Sequence, residues 1–302
     1  MQQSNVTHKY LRSRMDFPNV WCPGCGIGIV LGALIRAIDA KGIAKDDIAL
    51  VSGIGCTARV PAYVDFNTLH TTHGRSIAFA TGVKLSNPKL KVIVMSGDGD
   101  LLAIGGNHFI HACRRNIDIT VILVNNYIYG MTGGQYSPTT PIGKRASTAP
   151  HLTIEPPFDT CKLAISSGAS YVARGTVYHA SQLATLIEKG LEKKGFSVIE
   201  AMSNCETQYG RLNREGTAVR MIQKMKDLAV PISKADSMTP EELENKLVIG
   251  TLHNIERPEY VESYQKIIDK FNPPQPKSGE LANEDKKDTG EVNQQVPESK
   301  DK

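Results

Sequence analysis

The chain has 302 residues, 40% of them hydrophobic and 22% charged, the balance of a soluble globular protein able to bury a sizeable core. Its longest apolar run, residues 27–35, falls short of the roughly 20 residues a membrane helix needs, and the first twenty residues hold no secretory apolar stretch, so a cytoplasmic protein without a membrane span is expected. The net charge of +4 comes from 35 basic and 31 acidic side chains scattered along the chain, with no basic block to mark a nucleic-acid surface, and six cysteines are too few for a disulfide scaffold.

In chain order, short β-branched runs alternate with longer amphipathic ones. Helices are predicted over 26–40, 74–86, 100–115, 159–168 and 180–194, and strands over 48–51, 92–95, 119–124, 171–173 and 197–200. Gly42, Gly168 and Gly195 punctuate helix ends. This alternation predicts an α/β fold, a parallel sheet with helices on both faces. Beyond it, 240–252 and 260–271 read as helices, the first with Thr239 as N-cap, Pro240 at the first helical position and Glu241 and Glu242 behind it. Residues 272–302 contain only Leu281, Ala282, Val292 and Val296 as apolar side chains and read as a disordered tail. The expected organisation is a main domain over 1–235, a C-terminal helical extension over 236–271 and the tail over 272–302. No internal repeat or sustained heptad is present.

In open parallel sheets, ligands sit beyond the carboxyl ends of strands, and the unusual clusters of this chain fall there. Gly97-Asp98-Gly99 directly follows the strand over 91–96, and Asn125-Asn126 ends the next strand after 25 intervening residues. Two neighbouring strand ends would then offer a carboxylate and a side-chain carbonyl to one point. That donor set suits a hard octahedral cation that keeps diphosphate oxygens among its ligands, Mg²⁺ above all. The glycines admit close backbone approach, and the helix starting near Asp100 directs free N–H groups at an anion. A Cys-x-x-Cys pair, Cys22 and Cys25, points to metal or redox work.

The Gly-Asp-Gly to Asn-Asn spacing resembles that of the thiamine-diphosphate enzymes. Three further clusters narrow the likeness: Gly53-Ile54-Gly55-Cys56, His73-Gly74-Arg75, and the loop Tyr129-Gly130-Met131-Thr132-Gly133-Gly134-Gln135. Together they make residues 15–235 similar to the β subunits of archaeal and bacterial 2-oxoacid:ferredoxin oxidoreductases. The resemblance implies the diphosphate-domain fold of thiamine-diphosphate-binding proteins, with Mg²⁺ on Asp98, Asn126 and the main-chain carbonyl of Ile128. It places the cofactor against Ile54, Gly55, Cys56, Thr57, His73, Gly99, Asp100, Gly130 and Met131.

Four cysteines, Cys22, Cys25, Cys56 and Cys205, match the family's cluster positions. Four thiolates suit a [4Fe–4S] cluster or a structural zinc, and spacing alone does not separate the two. The thiamine motifs favour the cluster, because two electrons must leave for one-electron acceptors and Cys56 shares a loop with the cofactor. Cys113 and Cys161 read as core thiols.

Arg59, three residues after Cys56, is expected to bind the substrate carboxylate through its planar fork; the family more usually has lysine there. The string from Asn67 to Arg75, and Ser137-Pro138-Thr139-Thr140-Pro141, resemble the 2-oxoglutarate branch. The expected reaction is oxidative decarboxylation of 2-oxoglutarate with coenzyme A to succinyl-CoA and CO₂, with electrons leaving to ferredoxin. No proton-transfer residue is assigned in this chain. The glutamate that activates thiamine belongs to a pyrimidine-binding domain, for which the chain has neither length nor motif, so the resemblance implies an α subunit and an (αβ)₂ assembly. Three alternatives remain: a β subunit acting on pyruvate or a branched-chain 2-oxoacid, a non-oxidative thiamine lyase with structural zinc, and an electron-transfer module that binds no thiamine.

Overall fold

The computed structural model describes residues 3–13 and 19–272; apart from Asn272, the expected tail lies outside them. The helices are α1 (Gln3–Lys9), α2 (Ile27–Ala40), α3 (Ser76–Ser86), α4 (Gly106–Arg115), α5 (Thr160–Ser166), α6 (Ala180–Glu192), α7 (Arg211–Asn213), α8 (Ala218–Leu228), α9 (Ile232–Ala235), α10 (Pro240–Leu243) and α11 (Tyr260–Phe271). The strands are β1 (Ile48–Ser52), β2 (Asn67–His70), β3 (Lys91–Gly97), β4 (Thr120–Asn125), β5 (Ile128–Tyr129), β6 (Gln135–Tyr136), β7 (Tyr171–Thr176), β8 (Ser197–Met202), β9 (Ala229–Pro231) and β10 (Leu247–Asn254). Eight of them form one sheet in the order β2-β1-β3-β4-β8-β7-β10-β9, and β5 and β6 pair as a small antiparallel hairpin.

From β2 to β7 the neighbours in this sheet are parallel. Strands covered on both faces must be apolar throughout, and β1, β4 and β8 are buried at every position. Side chains alternate between the faces. Leu50, Ile93, Met95, Ile122 and Val124 pack on the buried stripes of α2 and α6. Val51, Val92, Val94, Val121 and Leu123 pack with Phe109 and Ala112 of α4 and Ala164 of α5. Each such aliphatic side chain contributes about 1.5–3 kcal/mol on burial, so the sheet is a rigid platform for the loops at its edge.

Chain direction across the sheet reverses between β1 and β3: the chain leaves β1 for the edge strand β2, then returns to β3 and continues outward to β4. The carboxyl ends of β1 and β3 therefore flank a crevice of the kind that receives ligands in open α/β sheets.

The structure adds elements that the sequence reading does not place, α8 (Ala218–Leu228) the longest of them, and three further differences bear on the expected elements and the main sheet. The helix expected over 100–115 begins as a π-helical turn, Gly99–Ile104, and becomes regular only in α4. Asn67–His70 forms an unexpected edge strand. The helix expected over 240–252 is the single turn α10, after which Asn245 takes a left-handed φ of 62° and Leu247–Asn254 becomes β10, antiparallel to β7. The expected N-cap is present, with Thr239 and Glu242 forming a reciprocal capping box. Glu244 turns extended and Asn245 left-handed, which ends the helix, and within the extension expected to be helical over 236–271 the segment Leu247–Asn254 instead adds a strand to the main sheet, while Tyr260–Phe271 is helical as expected. The described residues divide into a unit ending at Ser263, which holds both sheets, and a second beginning at Tyr264, described over 264–272. Among the described residues no helix is long and apolar enough to cross a membrane.

Candidate functional site

The β1/β3 crevice opens into a cavity of about 390 Å³ walled by the turns that leave β1, β3 and β4. Asp98, directly after β3, is buried, with its Oδ2 accepting hydrogen bonds from Ser137 Oγ and Thr139 Oγ1, both at 2.6 Å. Burial pushes its carboxyl up to about 6, although the two hydroxyls pull the other way. A carboxylate held at that threshold ionises readily once a cation supplies positive charge.

The two asparagines after β4 divide their work. Asn125 turns into the sheet, where its Nδ2 donates to Glu200 Oε1 at 2.8 Å and its Oδ1 accepts from the Tyr127 N–H at 3.1 Å. Asn126 lines the cavity, and its Oδ1 accepts from the Ile128 N–H at 3.3 Å. Tyr127 between them takes a left-handed φ of 66°, a strained conformation that a non-glycine residue keeps only where its surroundings enforce it. Glu200 is clamped by Arg174, whose Nε donates to Oε2 at 2.6 Å while its Nη2 reaches Asp159 at 2.7 Å. Burial alone would raise the Glu200 carboxyl, but the Arg174 charge and the Asn125 amide hold it below the usual carboxylate range.

Asp100 gathers the remaining walls. Its Oδ1 accepts from the Ile54 N–H at 3.1 Å and the Gly74 N–H at 2.8 Å and lies 2.6 Å from His73 Nδ1, while Oδ2 accepts from Ser96 Oγ at 2.7 Å. One carboxylate thus fixes the β1 turn and the loop before α3 against the β3 turn. A Cβ on Gly53 would sit 2.0 Å from Asp100 Oδ2, so only glycine lets the chains approach this closely.

A second cavity, of about 220 Å³, adjoins the first and is walled by Cys22, Cys25, Cys56 and Cys205. Cys56, Asn126, Gly130 and Met131 line both cavities. A Cβ on Gly130 would lie 3.4 Å from the Sγ atoms of both Cys56 and Cys205. The cysteine-bearing turns are well anchored: Trp21 Nε1 donates to the Cys56 carbonyl at 2.7 Å, and the Cys25 N–H closes a tight turn on the Cys22 carbonyl at 3.0 Å. Burial pushes the Cys25 thiol up to about 12 and Cys56 to about 11, and raises Cys205. All six cysteines are free. Among the described residues no three Cys, His, Asp or Glu side chains converge tightly enough to chelate a single ion.

Every residue expected to touch cofactor or Mg²⁺ lines the first cavity, and all four expected cluster cysteines line the second. Arg59 does not join them: it is exposed on the 3₁₀ segment Thr57–Ala62, outside both sets of walls. The hydroxyls of Ser137 and Thr139 turn to Asp98, and that of Thr140 to the Tyr127 carbonyl, so this string supports the cation site. Cys113 and Cys161 are buried in the core. Sequence reasoning missed the support offered by Ser137, Thr139, Glu200 and Arg174, whereas Tyr129, Thr132 and Gln135, which also wall the first cavity, belong to the glycine-containing loop that the sequence singled out.

Residues 53–201 match the model of the thiamine pyrophosphate enzyme C-terminal TPP-binding domain. The chain is 53% identical to the 2-oxoglutarate synthase subunit KorB of Methanocaldococcus jannaschii over 87% of its length and 97% of the relative's. It is 40% identical to the 2-oxoacid:ferredoxin oxidoreductase subunit beta of Saccharolobus solfataricus over 79% of its length and 78% of that protein's. Among solved structures it is similar to the 2-oxoglutarate:ferredoxin oxidoreductase of Magnetococcus marinus, solved with 2-oxoglutarate, coenzyme A and succinyl-CoA bound, with a TM-score of 0.79 and 33% identity over 88% of this chain and 90% of that one. With a thiamine-binding turn set beside a four-cysteine cavity and relatives of this identity along nearly its whole length, the chain belongs to the β-subunit family of the 2-oxoacid:ferredoxin oxidoreductases, in its 2-oxoglutarate branch.

Proposed function

We propose that the chain, with an α subunit, catalyses the thiamine-diphosphate-dependent oxidation of 2-oxoglutarate with coenzyme A to succinyl-CoA and CO₂, passing electrons to ferredoxin. The observation that carries this reading is the common wall of the two cavities. Cys56, Gly130 and Met131 face both, so a group in the cysteine cavity stands directly beside the cofactor that generates the electrons.

The donors fit the groups. Asp98, Asn126 and the Ile128 carbonyl supply hard oxygens at one strand end, as Mg²⁺ with a diphosphate requires. The four cysteines supply sulfur only. A zinc ion would need all four sulfurs about 2.3 Å from one point, whereas among the described residues no three Cys, His, Asp or Glu side chains converge on a single ion, which favours a larger group such as a [4Fe–4S] cluster. Thiamine diphosphate supplies the carbanion chemistry and the cluster the one-electron relay. The protein residues supply position. Ser137 and Thr139 hold Asp98 in place, Asp100 locks the turns around the diphosphate, and His73, linked to Asp100, lines the cavity. Arg59, exposed beside the Cys56 turn, offers its guanidinium to the 2-oxoacid where the α subunit closes the site. That subunit also provides the activating glutamate.

The test is an anaerobic low-temperature EPR spectrum of the chain co-purified with its partner, before and after 2-oxoglutarate and coenzyme A. A reduced [4Fe–4S]⁺ signal that appears with this acid and not with pyruvate is expected. A signal with pyruvate alone would overturn the substrate, and zinc without acid-labile sulfide would overturn the redox role.

A further inference from the structure

We propose that the rim of the four-cysteine cavity, carrying Arg211, Arg214 and Arg220, is the docking surface for an acidic iron–sulfur carrier protein of the ferredoxin type. The inference rests on the cluster reading of the four cysteines.

Of those cysteines, Cys22 is exposed and the other three are half-buried, so the outward edge of the cavity lies at the Cys22–Cys25 turn. That turn is seated on the start of α8. A Cβ on Gly24 would meet the Ala218 Cβ at 2.5 Å, and Asn204 Nδ2 donates to the Gly24 carbonyl at 3.0 Å. Arg220 stands two residues beyond Ala218 on this helix. Arg211 begins α7, directly after the π-helical turn Glu206–Gly210 that follows Cys205, and its Nη2 lies 3.5 Å from Gln208 Oε1, a wall residue of the cysteine cavity. Arg214 caps α7. Arg145 joins them through Asn213, which accepts from the Arg145 N–H at 2.7 Å and donates to the Arg145 carbonyl at 2.9 Å.

The charge on this rim is uncommitted. All four arginines are exposed, and among the described residues none lies within ion-pair distance of a carboxylate. The nearby lysines behave differently, since Lys144 and Lys224 both pair with Glu215, at 2.7 and 2.6 Å. Glu215 is thus already neutralised, and Glu206 in the cavity wall sets a single carboxylate against four guanidinium charges, so the field is predominantly positive, the arrangement that steers an oppositely charged partner. Val20 and Val219 flank the Cys22 turn and are 55% and 65% exposed. An apolar centre in a charged rim is the anatomy of a transient protein interface. A carrier seated there receives electrons one at a time at the exposed end of the relay.

The test uses the αβ holoenzyme with the triple variant R211E/R214E/R220E, a bacterial 2[4Fe–4S] ferredoxin, and a small neutral dye as second acceptor. The variant should keep its iron and sulfide and its rate with the dye, while KM for ferredoxin rises about tenfold or more and loses its salt dependence. The single charge reversals should each give part of that effect and serve if the triple variant loses its cluster. An unchanged ferredoxin KM in variants that retain iron and sulfide would overturn the docking surface. If the wild-type complex holds no sulfide and reduces neither acceptor, the cluster reading has failed and the docking proposal falls with it.

Discussion

Thr139 donates its hydroxyl proton to Asp98 Oδ2 at 2.6 Å across 41 residues of sequence, and Ser137 does the same at the same distance. Both bonds fall on one carboxylate oxygen, which fixes the rotation of the group toward the cavity. Groups that orient a metal ligand in this way typically change metal affinity about 10–100-fold when removed. Thr139→Val should therefore weaken Mg²⁺-dependent binding of thiamine diphosphate by about tenfold or more, while Thr139→Ser retains it. Titration of the cofactor against the fluorescence of Trp21, bonded to the Cys56 carbonyl, reads the affinity without turnover. Equal affinities for the Val variant and the wild type would show that the hydroxyl does not orient Asp98.

The part of the site legible in sequence is the part written in consecutive residues. Gly97-Asp98-Gly99, Asn125-Asn126 and Gly53-Ile54-Gly55-Cys56 each occupy one turn, and the strands before them are β-branched runs whose burial on both faces leaves no ambiguity. The supporting contacts were not legible, because Ser137 and Glu200 find Asp98 and Asn125 across 39 and 75 residues and a lone serine or glutamate announces no partner. Asn67–His70 carries no strand signal because it is a mostly exposed edge, free of the apolar pattern that a covered strand needs. The strand Leu247–Asn254 was hidden by a genuine helix start, Thr239-Pro240-Glu241-Glu242, whose helix ends after one turn at a left-handed Asn245.

Proton uptake at Asp98 predicts a pH dependence. Burial raises this carboxyl to about 6 in the folded, metal-free chain, above the unfolded value of about 3.9. Between those values the folded chain binds more protons than the unfolded one, so the contribution of Asp98 to apo stability decreases as pH rises through the window. A cation reverses the preference, since it requires the ionised form. The increase in Tm produced by Mg²⁺ with thiamine diphosphate should therefore be small near pH 5 and grow through pH 6 to a plateau above it. A Tm increase independent of pH over this range would contradict the assignment of Asp98 as the cation's carboxylate.

Glu200 and Arg174 form the ion pair beneath the site, with Glu200 2% exposed. Removing one partner of a buried pair leaves an uncompensated charge and costs about 3–5 kcal/mol. Glu200→Ala should fall in that range by urea unfolding, and Glu200→Gln should lose less because its amide oxygen still accepts from Arg174 Nε, although its NH2 then faces the Asn125 Nδ2 donor. The sign with pH is opposite to that of Asp98. The Glu200 carboxyl is held below its ordinary value, so its stabilisation is complete above the usual glutamate range and is lost as pH falls through the lowered folded value. Wild type and Glu200→Gln should accordingly converge in stability on acidification.

Gly99 stands under the ring of Tyr129, whose hydroxyl donates to the Gly99 carbonyl at 2.8 Å. A Cβ at this position would lie 2.4 Å from Tyr129 Cζ and 2.5 Å from Cε1, too close for any adjustment short of moving the ring. Because Tyr129 walls the cofactor cavity and its ring meets His73 edge-on at 5.9 Å, Gly99→Ala should displace both and reduce cofactor affinity about tenfold or more, while a turn at the sheet edge leaves the core intact. Circular dichroism reads the fold and the cofactor titration reads the site. The double variant Gly99→Ala/Tyr129→Ala removes the collision and should bind the cofactor more tightly than Gly99→Ala alone. If the double variant binds more weakly than the single one, the loss at Gly99 has a cause other than the ring, and the close approach of Tyr129 is not what requires glycine there.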